Sequence, residues 1–295
     1  MPYRSGFACF VGRPNAGKST LTNALVGSKI VITSAKPQTT RHAVRGILTR
    51  EDAQLILVDT PGLHRPRTLL GQRLNDVVRS TLAEVDVVGF CVPADEKVGP
   101  GDRFISAELA ELKSPVIAIV TKTDTASRAQ LAEQLLAVSR LGEFADVIPV
   151  SAVAGEQVDL LADLLIARLP EGPRLYPDDV QTDNDTTTRI AELIREAALE
   201  GVHDELPHSI AVTVEEMHPR ESNPQITEVF ATIHLERSSQ KGIVIGHQGS
   251  RLKQIGTTAR AGISGLLGGR VHLDLHVAVE ADWQRDPKKL DRLGF

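Results

Sequence analysis

The sequence predicts a doubly wound α/β domain, with a mostly parallel sheet and helices on both faces, followed by a smaller α+β domain. Three observations carry this. Short Val/Ile-rich runs alternate with amphipathic stretches through the first half of the chain, as in a parallel sheet buried on both sides. A stretch rich in proline and aspartate interrupts the pattern at 170–185. Beyond it, apolar and polar residues alternate with the period of a half-exposed strand. The expected boundaries are 1–172 for the first domain, 173–188 for the linker and 189–295 for the second domain. A length of 295 residues suits two domains.

In order, the runs at 7–11, 54–58, 87–92, 115–120 and 147–150 read as strands. The intervening stretches 19–25, 73–82, 102–112, 128–139 and 158–169 read as helices. Thr186–Thr188 is placed to cap a helix over 189–200. Strands follow at 209–216 and 225–235, a short strand at 242–245, a helix at 250–267 and a last strand at 270–279. Apart from the short strand at 242–245, the second half reads helix, strand, strand, helix, strand. No internal repeat and no low-complexity tract is visible.

Composition excludes several classes. Hydrophobic residues at 41% and charged residues at 24% suit a globular chain rather than a disordered one. The net charge of −5 rules out a globally basic nucleic-acid coat but leaves room for a local basic patch. Aromatics at 3% argue against a ring-stacking platform for single-stranded RNA. Two cysteines, Cys9 and Cys91, exclude a disulfide scaffold and a four-cysteine zinc site, and both sit in apolar runs as buried free thiols would. The opening Met-Pro-Tyr-Arg has no signal-segment pattern, and no apolar stretch is long enough to cross a bilayer. A reducing cytoplasm is the expected compartment. His272, Asp274 and His276 share one face of the last strand; a solvated face accounts for them better than a metal site.

Gly12-Arg13-Pro14-Asn15-Ala16-Gly17-Lys18-Ser19 fits the phosphate-binding loop, with a strand before it and a helix after it. Glycines let backbone N–H groups turn toward phosphate oxygens, and the helix N-terminus adds positive potential. Lys18 is placed for the β- and γ-phosphates and the Ser19 hydroxyl for Mg²⁺, with Thr20 following in the first turn. Asp59-Thr60-Pro61-Gly62 ends the next strand. Its aspartate can hold the Mg²⁺ shell and the Gly62 N–H can read the γ-phosphate. Between these motifs, Ser34-Ala35-Lys36-Pro37-Gln38-Thr39-Thr40-Arg41-His42 reads as a polar loop with a threonine that closes on Mg²⁺, Thr40 first and Thr39 as the alternative. The candidate catalytic residues are thus Lys18, Thr40 and Gly62, and the Mg²⁺ ligands Ser19, Thr40 and Asp59.

The base-reading segments come next. Thr121-Lys122-Thr123-Asp124 ends a strand. A carboxylate there accepts from guanine N1–H and the 2-amino group, donors that adenine lacks. Lys122 can lay its stem over the base. The backbone of Ser151-Ala152 can meet guanine O6. Either segment alone would also serve as a helix cap or a turn; their order at successive strand ends makes the set specific.

These motifs, in this order, resemble those of translation-factor-class GTPases. Gly12–Ser19, the segment from Pro37 to His42 and Asp59-Thr60-Pro61-Gly62-Leu63-His64 are similar to the Era family of bacterial ribosome-assembly GTPases. The likeness runs through Ile243-Val244-Ile245-Gly246 to the C-terminus. It implies a P-loop GTPase domain that uses GTP, GDP and Mg²⁺. It also implies a type II KH domain that binds the 3′ region of 16S rRNA in the 30S subunit. By the same resemblance Asn15 is a candidate K⁺ ligand. A monomer is expected, and peripheral contact with the inner face of the cell membrane, a family property, stays open. The chain departs from the family at Thr121, where the usual motif has asparagine, so weaker guanine binding is expected unless Thr121 replaces the lost bond. Leu63 stands where other GTPases carry a water-orienting glutamine, so slow intrinsic turnover is expected.

Gly246-His247-Gln248-Gly249 is the G-x-x-G of a KH domain, where glycines admit phosphates and Ile245 offers an apolar floor for bases. Relatives often carry a lysine inside this loop, so affinity here is expected to lean on Lys241, Arg251 and Lys253. The window 237–270 holds six basic residues and no acidic one within an acidic chain. Such a concentration suits local RNA docking, though a solvated helix face has the same composition. Two other functions fit less of the sequence: an RNA-binding assembly factor with a structural nucleotide, and a GTPase acting on a protein or membrane partner.

Overall fold

A computed structural model of the chain describes residues 2–34, 36, 39–63, 66, 68–202 and 206–295; Ala35, Pro37, Gln38 and His64, named above, lie outside these. It divides into two compact units. The described residues of 1–33, 40–66 and 71–183 form the first, and those of 34–39, 67–70 and 184–295 form the second.

The first half of the chain supplies β1 (Arg4–Gly12), α1 (Lys18–Val26), β2 (Val44–Thr49), β3 (Ala53–Asp59), α2 (Leu69–Glu84), β4 (Val87–Pro93), α3 (Pro100–Leu109), β5 (Val116–Thr121), α4 (Arg128–Ser139), β6 (Asp146–Pro149) and α5 (Val158–Ile166). The strands make one six-stranded sheet in the order β2-β3-β1-β4-β5-β6. Only β2 runs antiparallel to its neighbour. Every residue of β3, β4 and β5 is buried, so these segments lack polar alternation. Ala8 and Phe10 of β1 pack with α1 and α5 on one face, while Cys9 and Val11 pack with α2, α3 and α4 on the other. The two free thiols, Cys9 and Cys91, thus lie in different cores on opposite faces. Burial pushes the Cys91 thiol up to about 12, and Cys9 higher still, so neither is a nucleophile at neutral pH.

Strand β2 is absent from the sequence reading. Arg45 and Gly46 interrupt its strand character, and pairing with the fully buried β3 decides its conformation. The segment 173–183 lies along this edge. Gln54, wholly buried, accepts from the Leu175 and Tyr176 N–H groups at 2.8 and 2.9 Å and donates to the Tyr176 carbonyl at 2.9 Å. Ile47 N–H donates to the Gln181 carbonyl at 2.9 Å, and Arg45 pairs with Asp183 at 3.0 Å. Covering the edge in this way removes a row of exposed backbone groups.

The second half supplies α6 (Thr186–Leu199), α7 (Leu206–Ser209), β7 (Ala211–Arg220), β8 (Asn223–Leu235), α8 (Ser238–Ile245), α9 (Ser250–Leu267), β9 (Arg270–Val279) and α10 (Pro287–Arg292). The sheet order is β7-β8-β9, with β8 antiparallel to β7 and parallel to β9. One face of it packs against α6, α8 and α9 through Ile194, Ala198, Val244, Ile255, Ala259 and Ile263.

Two expectations are corrected here. Residues 242–245 are the end of helix α8 rather than a strand, so the G-x-x-G joins two helices. The Gly-Ile-Val-Ile run has strand-like β-branching, but the Gln240 side chain accepts from the Glu236 and Arg237 N–H groups at the start of α8, and Val244 alone of the run turns fully into the core. The cap of α6 is Asp185, which accepts from Thr188 N–H at 2.8 Å; the threonines form the first turn. Helix α10 also escaped the sequence reading, although Asp286-Pro287 is a cap followed by proline at the first helical position. Among the described residues no helix is long and apolar enough to cross a membrane.

Candidate nucleotide and RNA sites

The loop between β1 and α1 is built from left-handed residues. Asn15 has φ 63° and Gly17 has φ 84°; asparagine and glycine tolerate this region better than other residues. The Arg13 carbonyl accepts from Ala16 N–H at 3.2 Å and, with the Gly12 carbonyl, from the buried Lys18 ammonium at 3.1 and 3.3 Å. The ammonium is thus held at the mouth of α1. Burial lowers its pKa, and the Asp59 carboxylate partly offsets this.

Ser19, Thr40 and Asp59 meet beside it. The Ser19 and Thr40 hydroxyls donate to Asp59 Oδ2 at 2.8 and 2.9 Å and lie 3.0 Å apart. Asp59 is wholly buried, its Oδ1 has no hydrogen-bond partner, and burial raises its pKa despite Lys18. An orphaned carboxylate oxygen among converging hydroxyls is a hard-oxygen donor set that fits Mg²⁺. Thr39, the alternative, instead donates to the Lys36 carbonyl at 2.7 Å. Gly62 lies against the loop: a Cβ there would come within 3.0 Å of the Pro14 nitrogen, so any side chain would force the two segments apart. Leu63 is buried in the core, so the residue directly after Gly62 presents no polar side chain to orient water.

At the end of β5, the Thr121 hydroxyl donates to the Ala16 carbonyl at 2.7 Å and ties the two loops. Lys122 takes a left-handed conformation and lies 3.8 Å from Asp95. Asp124 Oδ1 accepts from the Ser151 hydroxyl at 2.5 Å, and Ser151 Oγ in turn accepts from Ala154 N–H at 3.0 Å. Ser151 thus holds the Asp124 carboxylate with its side chain, a contact the sequence did not signal. Ala152 is half-buried against the core beside it. Thr20 occupies the first turn of α1, and its neighbours Thr22 and Leu21 face inward.

In the second unit, the turn after α8 has left-handed φ at Gly246 (73°), Gln248 (50°) and Gly249 (78°). A Cβ at Gly246 would lie 2.7 Å from Arg251 Cβ and 2.9 Å from its backbone nitrogen. His247 and Gln248 are exposed, as is Lys253, while Lys241 and Ile245 are half-buried. Ile243 is 55% exposed on α8. Arg251 is engaged elsewhere: its Nη2 donates to the Ala198 and Glu200 carbonyls at the end of α6.

Comparison with known proteins agrees with this geometry. A family model described as 50S ribosome-binding GTPase matches residues 7–122, and a KH domain model matches 205–284. GTPase Era of Streptomyces coelicolor is 66% identical over 302 residues, covering 99% of this chain and 95% of that protein. GTPase Era of Mycolicibacterium paratuberculosis is 60% identical over 99% of both. A crystal structure of Era with MgGDPNP and nucleotides 1506–1542 of 16S ribosomal RNA superposes with TM-score 0.95 at 35% identity over 99% of each chain. One of a point variant of Aquifex aeolicus Era bound to GDP·AlF4⁻ gives 0.94 at 35% identity over 99% of each chain. With a phosphate loop feeding α1 and a G-x-x-G turn feeding α9, the chain belongs to the Era family of GTPases and couples a P-loop domain that hydrolyses GTP to a KH domain.

Proposed function

We propose that this protein is a GTP-driven switch that grips the 3′ region of 16S rRNA with its KH domain and assists maturation and assembly of the 30S subunit. The observation that carries the reading is the left-handed Gly246–Gly249 turn, opening onto α9 in a long stretch of the chain rich in basic residues and free of acidic ones. The solved Era complex with nucleotides 1506–1542 of 16S rRNA, alike over 99% of both chains, supports the choice of RNA.

In the nucleotide site, Lys18 meets the β- and γ-phosphates and the N–H groups of 15–18 surround them. Ser19, Thr40 and Asp59 hold Mg²⁺, which when bound neutralises charge developing on the transferred phosphoryl group. Asp124, held by Ser151, accepts from the guanine edge. Gly62 reports the γ-phosphate through its N–H. With Leu63 in place of a water-orienting side chain, intrinsic turnover is slow, and Asn15 is the K⁺ ligand that accelerates it; equal turnover in Na⁺ and K⁺ would remove that element.

The test of the whole reading is sedimentation of the protein with 30S particles in a non-hydrolysable GTP analogue and in GDP. Nucleotide-dependent association, together with hydrolysis stimulated by a 3′ 16S fragment and steeply weakened by salt, is expected. RNA-independent turnover and no particle binding in either state would overturn it.

Thr121 offers a separate check. Thr121→Val removes the hydroxyl at constant shape and leaves the buried Ala16 carbonyl unpaired, a loss of about 1–3 kcal/mol. Affinity for GDP should fall roughly tenfold and be restored by Thr121→Ser, as read by fluorescent-nucleotide titration.

A further inference from the structure

Arg13 stands inside the phosphate loop, yet its side chain is committed to α3 and the loop before it. Its Nε donates to Asp102 Oδ1 at 2.8 Å, and its Nη1 pairs with Glu96 Oε2 at 3.1 Å. Asp102 is wholly buried in the first turn of α3, where its other oxygen accepts from Gly99 N–H at 2.8 Å. The loop carrying Glu96 is itself pinned, because the buried Gln134 amide donates to the Pro93 and Glu96 carbonyls at 2.9 and 2.8 Å. A rigid guanidinium fork thus bridges a buried carboxylate and a half-exposed one on a pinned loop, a geometry that lysine cannot reproduce.

The backbone of the same residue is the hub of the loop. Its carbonyl receives both the Ala16 N–H and the Lys18 ammonium. Holding the Arg13 side chain therefore fixes the group that shapes the loop and places Lys18. On the far side, the Thr121 hydroxyl holds the Ala16 carbonyl. The loop is anchored at its second and fifth residues, from α3 and from β5 respectively.

We propose that Arg13, clamped by Asp102 and Glu96, is a positioning residue for nucleotide binding: it holds the phosphate loop in its binding shape before the nucleotide arrives. A loop ordered in advance avoids the entropy cost of ordering on binding, so its loss appears in affinity and dissociation more than in the chemical step.

The test is dissociation of a fluorescent GDP analogue from preloaded full-length protein, with KM and single-turnover rates for GTP and thermal melting in parallel. Arg13→Met and Asp102→Asn should each release GDP about tenfold faster, the loss expected of one charge-assisted hydrogen bond. KM should rise in step, while hydrolysis of bound GTP changes much less. Asp102→Asn keeps an oxygen for Gly99 N–H, so α3 stays capped. The double variant should be no worse than the worse single one, because both break the same pair. Arg13→Lys should recover part of the loss. Where either buried-site variant fails to fold, Glu96→Gln, at the exposed arm, should still release GDP about two- to threefold faster. Wild-type dissociation and KM in these folded variants, or losses that add fully in the double variant, would overturn the proposal. A lowered melting temperature with unchanged nucleotide kinetics would likewise reduce Arg13 to a structural part.

Discussion

Lys18→Ala is expected to lower GTP hydrolysis by about 10²–10³-fold, the usual cost of removing one preorganised group that faces developing transition-state charge. The ammonium lies at the start of α1, buried, with two loop carbonyls as its hydrogen-bond partners. It is therefore a cation held in a water-poor cradle, where each electrostatic contact counts for more than in solvent. Removing it has a second effect on the same site. Burial already raises the pKa of Asp59, and the ammonium is the foremost group opposing that rise. Without it the carboxyl's pKa is pushed further up, toward the form that is the poorer Mg²⁺ ligand. Phosphate release at saturating Mg²⁺ and GTP, and Mg²⁺ titration of the GDP-bound variant, should both fall away from wild type. Turnover within tenfold of the parent protein would refute the placement of Lys18 on the phosphates.

Gly246→Asp is expected to weaken binding of a 3′ 16S rRNA fragment by about a hundredfold, since a like charge set against the phosphate path costs several kcal/mol. Two further effects act before charge is considered. The backbone at Gly246 has φ 73° and ψ 177°, a region essentially closed to residues with a Cβ. That Cβ would also press on the Arg251 backbone nitrogen at 2.9 Å, which cannot move without disturbing the first turn of α9. Gly246→Ala carries the steric part alone and should show an intermediate loss. Filter binding over a range of salt separates the two: the aspartate variant should also lose salt dependence, because fewer phosphates are neutralised. Equal affinity for wild type and Gly246→Asp would remove this turn from the RNA path.

Much of the candidate nucleotide site was legible in the sequence because a phosphate-binding loop is a local motif. Gly12, Asn15, Gly17, Lys18 and Ser19 occupy one turn, and their residue types meet backbone requirements within that turn. Strands β3, β4 and β5 were equally legible, since a strand buried on both faces must be continuously apolar. The choice between Thr39 and Thr40 was different. Both carry the same hydroxyl, and only the path of the chain sends the one to the Lys36 carbonyl and the other to Asp59. Helix α8 failed for a related reason. Its Ile243-Val244-Ile245 run is locally strand-like, and the packing of Val244 into the second core overrides that preference. Arg251 reads as one more cation in a basic window, but the end of α6 claims its guanidinium.

The sequence by itself determined the order of the nucleotide motifs, the alternation that makes a parallel sheet, and the glycines of the two left-handed turns. Each of these follows from residues near one another in the chain. Tertiary structure alone decided that Thr121 would tie down Ala16, that Ser151 would hold Asp124, and that a buried aspartate of α3 would clamp Arg13. Those contacts join residues 105, 27 and 89 positions apart. A hydroxyl or a guanidinium acquires such a partner only when the sheet brings separate strand ends together, and no local propensity encodes that distance.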